Sequence, residues 1–160
     1  MLSEHCLVPE RDDLMKWHLY IGYCQEDRQA VQSLYQSLHE LVHTAGLTCY
    51  FRSSLDAVEL SAELNVEEGI NFSQRCLLYI SPAYIKDCWS EYELHEADRK
   101  VKYFGRKSVV ALIESSVDQR HLDKFSQFTK LTQPFHGEEL LTELVSGMIF
   151  ASVIIVLVPL

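Results

Sequence analysis

The stretch "CLLYIS" (76–81) is an unbroken apolar run that ends at Pro82. A short run of this kind suits a parallel strand buried on both faces, because neither side of it tolerates water. Helices must then cover the sheet on each side, which restricts the chain to a layered α/β architecture. Other segments obey the same restriction. "WHLYIGY" (17–23), "LTCYF" (47–51) and "SVVALIE" (108–114) have strand composition, and "FTKLTQ" (127–132) follows a polar helical turn at about 117–124. Between the first two strands Val31, Leu34, Tyr35, Leu38, Leu41, Val42 and Ala45 recur at helical spacing. Asp27 suits the start of that helix and Gly46 its end. A second helix is expected over 61–72 with Ser61 as cap, a third over 89–104, and a last one from near Gly137. The third carries acids early and Arg99, Lys100 and Lys102 late, as the helix dipole favours. On its wheel Leu94, Ala97, Val101 and Phe104 form the buried stripe, Glu93 lies at the margin of that stripe and Glu96 opposite it. Strands alternating with helices imply a parallel sheet covered on both faces.

At 160 residues, 48% of them apolar, the chain has material for one domain with a proper core. Residues 1–15 read as an N-terminal extension, 16–149 as the domain and 150–160 as an apolar tail. Acidic residues outnumber basic ones by 23 to 14, so the surface field repels phosphate backbones and nucleic acid is not an expected partner. The five cysteines form no C-x-x-C pair, which suits free thiols in a reducing compartment. "MLSEHCLVPERDDLMK" lacks the apolar core of a signal peptide, so a cytoplasmic location is expected. "MIFASVIIVLVPL" (148–160) is uncharged but shorter than the roughly 20 apolar residues of a spanning helix. Three readings of it stay open: packing on the domain, a membrane anchor, or a boundary of the chain as cut. Membrane contact is expected only if this tail inserts.

"HELVHTAGLTC" (39–49) spells the zinc-protease motif, with His39, Glu40 and His43 followed by Gly46 and Cys49. On the helical wheel both histidines share the side of Gln32 and Gln36, away from the Leu34/Leu38/Leu41 stripe. A catalytic zinc needs a cleft, three ligands and supporting hydrogen bonds. Cys49 belongs to the next strand and Gly46 to the helix stop, so no metal site is expected. G-x-G-x-x-G, P-loop and G-x-S-x-G turns are missing, which removes dinucleotide-fold, NTPase and α/β-hydrolase chemistry. A phosphoacceptor receiver would place an Asp at the end of the third strand, where Ser81 stands.

Ligands of open α/β sheets bind beyond the carboxyl ends of the strands, where the strand order reverses. With the order 2-1-3-4-5, the segments facing that crevice are "CQED" (24–27), "RSSLDAVEL" (52–60) and "SPAYIKDCWSEYE" (81–93). They supply Cys24, Gln25, Asp27, Arg52, Ser53, Ser81 and Trp89 as candidate ligand contacts. Glu93 is expected to be half-buried in the first turn of its helix. Two roles are open to it, stabilising the helix start or facing a ligand, and Trp89 is open to core anchoring or ligand stacking.

"YIGYCQEDRQAV", "LTCYFRSS" and "INFSQRCLLYISPAYIKDCWSEYEL" together resemble the Toll/interleukin-1 receptor (TIR) domain family, over about Lys16 to Ile149. The resemblance rests on a first-strand box, a second-strand box opening the BB loop, and S-x-R-x-x-x-x-x-S-x-x-Y followed by W-x-x-x-E-L. It implies a five-stranded, three-layer flavodoxin-like fold. It also implies two functions. Many members are scaffolds that pack TIR on TIR in innate-immune or stress signalling, with other TIR domains or copies of themselves as partners. Others hydrolyse NAD⁺ as substrate, with no cofactor, through the glutamate of W-x-x-x-E, here the catalytic candidate Glu93. A carboxylate there would stabilise the oxocarbenium character that builds as nicotinamide leaves. The chain departs from receptor members in two places: Arg52 is followed by "SSLDAVEL" without the R-D-x-x-P-G pattern, and Phe135 lacks a following tryptophan.

Overall fold

The computed structural model describes residues 16–44, 48–51, 62–135, 140 and 143, with the backbone alone over 37–44 and 62–65. Five parallel strands form one sheet, β1 (Trp17–Gly22), β2 (Cys49–Phe51), β3 (Ser73–Ile80), β4 (Val109–Ile113) and β5 (Thr129–Thr132), in the order β2-β1-β3-β4-β5. The helices are α1 (Arg28–Thr44), α2 (Ala62–Asn71), α3 (Pro82–Lys86) and α4 (Cys88–Phe104). Short 3₁₀ turns cover Gln25–Asp27, Arg106–Ser108 and Gln119–Phe125. This is the flavodoxin-like order expected from the sequence, and β1 pairs with β3 through Tyr20–Cys76 and Gly22–Leu78.

Successive residues of a strand face opposite sides, so each central strand feeds two cores. Tyr20, Cys76, Leu78, Ile80, Val109, Ala111 and Ile113 meet Val66, Ile70, Tyr84 and Ala97 from α2, α3 and α4. Leu19, Ile21, Leu77, Tyr79, Val110 and Leu112 meet Val31 of α1 and Leu140 on the other side. Every residue of β4 is buried, which is why its sequence shows no alternation. Leu34 and Tyr35 of the predicted α1 stripe pack against this second core, and Leu140 and Glu143 are helical as expected.

Local chemistry sets the ends of the elements nearest the crevice. Ser81 caps α3 by accepting the Tyr84 N–H at 3.0 Å, and Pro82 follows at the first helical position, where its missing N–H costs nothing. Asp87 caps α4 by accepting the Trp89 N–H at 3.3 Å. Gly105 stops α4 at φ 91°, a conformation in which a side chain is strained.

The α4 surface departs from the wheel at several residues. Glu96, expected opposite the buried stripe, is 3% exposed, and Phe104, expected inside, is 40% exposed. Leu94 and Val101 are half-buried. Lys100, one of the late basic residues that the helix dipole favours, is 2% exposed and donates to the carbonyls of Ile70 at 3.0 Å and Ser73 at 2.6 Å. The reason is that α4 packs on α2 as well as on the sheet, so its buried arc is wider and turned relative to a helix with one neighbour.

Candidate functional site: a crevice over the switch point and a carboxylate behind it

A crevice of about 530 Å³ opens at the carboxyl ends of β1, β3 and β4, lined by Cys24, Gln25, Glu26, Asp27, Ser81, Pro82, Ala83, Lys86, Asp87 and Glu114. It lies where the strand order reverses, between the ends of β1 and β3. Four of the predicted contacts, Cys24, Gln25, Asp27 and Ser81, come together there. Trp89 is half-buried and is not among the lining residues. Arg52, Ser53 and the rest of the loop after β2 lie outside the described residues.

The floor of the crevice is a short hydrogen-bond chain. The Tyr84 N–H donates to Ser81 Oγ, and the Ser81 hydroxyl in turn donates to Asp27 Oδ2. The Cys24 thiol donates to the same carboxylate oxygen at 2.9 Å. Asp27 stands directly before α1, as expected of its cap, but this carboxylate oxygen serves to tie the β1 loop to the β3 loop.

Negative charge dominates the crevice. Burial first, and then the Asp27 carboxylate, push Glu114 above its ordinary value. Burial and the Asp27 hydrogen bond push the Cys24 thiol up to about 11, so it stays protonated at neutral pH. Tyr79 is pushed up to about 12 by burial, followed by the charges of Glu114 and Asp27.

Glu93 stands behind this crevice rather than in it. It is 0% exposed, deeper than the half-buried position expected, and it is the sixth residue of α4, so Glu91 is the first-turn acid. The Tyr20 hydroxyl donates to Glu93 Oε2 at 2.6 Å and the Tyr84 hydroxyl to Oε1 at 2.6 Å. These are short, charge-assisted contacts. Gly22 of β1 makes room for the carboxylate: a Cβ at Gly22 would stand 2.5 Å from Oε2. Three elements, β1, α3 and α4, thus converge on one buried acid. The wheel put Glu93 at the margin because it knew nothing of α3, which folds over that margin and closes it. Sequence reasoning missed Tyr20 and Tyr84 as partners: Tyr20 entered only within the first-strand box and Tyr84 only as the tyrosine that closes the S-x-x-Y motif.

Among the described residues no cluster of three or more His, Cys, Asp and Glu is placed to hold a metal ion. The backbone of His39, Glu40 and His43 lies in α1, Cys49 lies in β2, and Gly46 falls outside the described residues. Of the apolar tail nothing is described; among the described residues no helix is long and apolar enough to cross a membrane.

Two structures of a metazoan TIR-STING receptor from C. gigas share this fold. The one in complex with 2′,3′-cGAMP aligns with a TM-score of 0.60 and 21% identity, and the other with 0.59 and 20%. Each alignment covers 81% of this chain and 40% of the receptor, so the chain spans about two fifths of the receptor's length. No curated protein matches the chain significantly. The TIR domain family model matches residues 19–145, which run from within β1 to beyond β5 and include the crevice and Glu93. On that match, together with the sheet order and the boxes that end at Tyr84 and Leu94, the chain belongs to the TIR-domain family.

Proposed function

We propose that this chain is a TIR-type signalling module, serving innate immunity or a stress response, that acts by packing one TIR domain on another. Membership of the family supports a signalling module. The observation that carries the choice of scaffolding over catalysis is the state of Glu93: both carboxylate oxygens hold tyrosine hydroxyls within a closed core. An acid so engaged organises the fold and does not face the crevice. The free thiols of Cys24, Cys49 and Cys76, buried or half-buried, suit work in the cytoplasm. Light scattering on the purified chain over a concentration series tests the reading. Growth in mass with concentration, or co-assembly with another TIR domain, is expected; a strict monomer that binds no other TIR domain refutes it.

A second reading, NAD⁺ glycohydrolysis to nicotinamide and linear or cyclic ADP-ribose, draws support from one arrangement. Tyr84 bonds Glu93 through its hydroxyl and Ser81 through its N–H, so a single residue connects the buried acid to the crevice. In this reading Cys24, Gln25, Asp27, Arg52, Ser53, Ser81 and Trp89 contact the dinucleotide, and Glu93 moves out from its tyrosines. The glycosidic bond breaks with its electron pair going to the nicotinamide nitrogen, which leaves neutral. Glu93 then stabilises the cationic ribose until water, or the adenine in cyclisation, attacks it and gives up a proton to solvent. Nicotinamide release from NAD⁺ by the concentrated protein, lost in Glu93→Gln, would support it. Release equal to that of the variant, or no release, refutes it.

A further inference from the structure

The far end of α4 carries the opposite chemistry to the crevice. Within "KVKYFGRK" (100–107), residues 102–107 are all exposed, and they contain Lys102, Arg106 and Lys107 but no acid. Tyr103, at 58%, and Phe104, at 40%, are the exposed large apolar side chains among the described residues. Arg106 is anchored through its Nε–H to the Phe128 carbonyl at 3.1 Å, and a Cβ at Gly105 would meet nothing within 4 Å. The segment is therefore a basic, aromatic and solvent-exposed knob, held to the body through Arg106, on a chain whose net charge is −9. Tyrosine, phenylalanine and arginine are enriched at interface centres, and the flanking lysines would steer the knob towards an acidic partner surface.

Topology puts knob and crevice at opposite ends of the molecule. The strands are parallel, the crevice lies at their carboxyl ends, and α4 runs back from the end of β3 to the start of β4. At roughly 3.3 Å per residue the eight residues of β3 separate the two ends by about 26 Å, some three Debye lengths at physiological salt. Within one copy Lys102 pairs with Asp98 at 3.4 Å, but the knob cannot reach its own acidic crevice, whereas it can reach the crevice of a second copy. The crevice lining offers Glu26, Asp27, Asp87 and Glu114 against a single Lys86.

We propose that the knob of one copy, residues 102–107, docks on the acidic crevice of the next, so that copies add head to tail. This rests on the self-association reading above and specifies its surfaces. The two surfaces differ, so the contact is heterologous: each added copy still presents one unoccupied knob and one unoccupied crevice, and growth continues unless the geometry closes a ring. An arriving cation also relieves the repulsion between Asp27 and Glu114 noted above.

The experiment uses sedimentation velocity on the full chain and on two charge-reversed variants, Lys102→Glu/Lys107→Glu and Glu26→Lys/Glu114→Lys, with circular dichroism checking that each is folded. Wild type should assemble, and more weakly at high salt. Each folded variant alone should need at least about tenfold more protein to assemble, since like charges then face each other. An equimolar mixture of the two should assemble again, because each reversed end meets an opposite one. If wild type assembles and either variant assembles equally well, the surfaces are wrong while self-association stands. A mixture that stays monomeric also overturns the pairing. If wild type itself never assembles, self-association fails and this proposal with it.

Discussion

Replacing Tyr84 by Phe deletes one oxygen and leaves the ring in place, so it isolates the hydroxyl that donates to Glu93 Oε1 at 2.6 Å. A hydrogen bond to a charged group is worth about 1.5–3 kcal/mol, and complete burial of this one argues for the upper half of that range. We expect Tyr84→Phe to lower the free energy of unfolding by about 2 kcal/mol, with a fall in Tm of about 4–8 °C for a chain of this size. Tyr20→Phe should cost a similar amount, since the Tyr20 hydroxyl holds Oε2 at the same distance. The two substitutions should couple by about 0.5 kcal/mol or more, because both hydroxyls act on one carboxylate. Adding Glu93→Leu to the double variant should recover stability, because the charge leaves with its partners and the apolar surroundings suit the new side chain. Urea denaturation at unchanged m-value measures all four. If each single Phe variant lies within about 0.5 kcal/mol of wild type, the clamp is not what keeps Glu93 in the core, and the case for its structural role collapses. The same reasoning warns against Glu93→Ala as a control for activity. It removes a buried side chain and leaves two tyrosine hydroxyls without this acceptor, so lost activity would be confounded with lost fold.

Gly22→Ala brings a methyl group to within 2.5–2.6 Å of the Glu93 carboxylate, an overlap that should cost at least about 2 kcal/mol in the same assay; a neutral result would show that α4 shifts freely. Glu114→Gln should raise Tm at pH 7. The folded chain holds the Glu114 proton to higher pH than the unfolded chain, so ionising this group above its raised value weakens the fold, and the variant escapes that loss. The advantage should fade as pH falls towards 4.5, the ordinary value, and an advantage independent of pH would count against it. Thiol labelling of the native protein at pH 8 should modify exposed Cys88 well before Cys24 and Cys76, whose thiols are pushed up to about 11 and about 12; mass mapping that finds Cys24 labelled first would contradict the crevice geometry. Lys100→Met, which keeps the length of the side chain but deprives the Ile70 and Ser73 carbonyls of their donor, should destabilise by about 1–3 kcal/mol in urea unfolding, and no change would mean those carbonyls are otherwise satisfied.

The sequence by itself determined the layers, the elements and their order. A strand such as β3, apolar on both faces, admits only a sheet covered on both sides, and that information is local because burial on two faces is written into consecutive residues. The crevice was legible to the extent that topology alone dictates it: Cys24, Gln25, Asp27 and Ser81 lie just beyond the ends of β1 and β3 and so had to face the switch point. The surroundings of α4 were not legible. A helical wheel assumes one buried face, whereas α4 has the sheet, α2 and α3 as neighbours, which buries Glu96 and Lys100 and leaves Phe104 exposed. Only the tertiary structure decided the environment of Glu93, because it depends on residues 73 positions earlier in β1 and 9 positions earlier in α3 arriving within 2.6 Å of one carboxylate. No periodicity encodes such a meeting. Separation along the chain hides which hydroxyl will meet which acid, and with it whether that acid is offered to a ligand or kept by the fold.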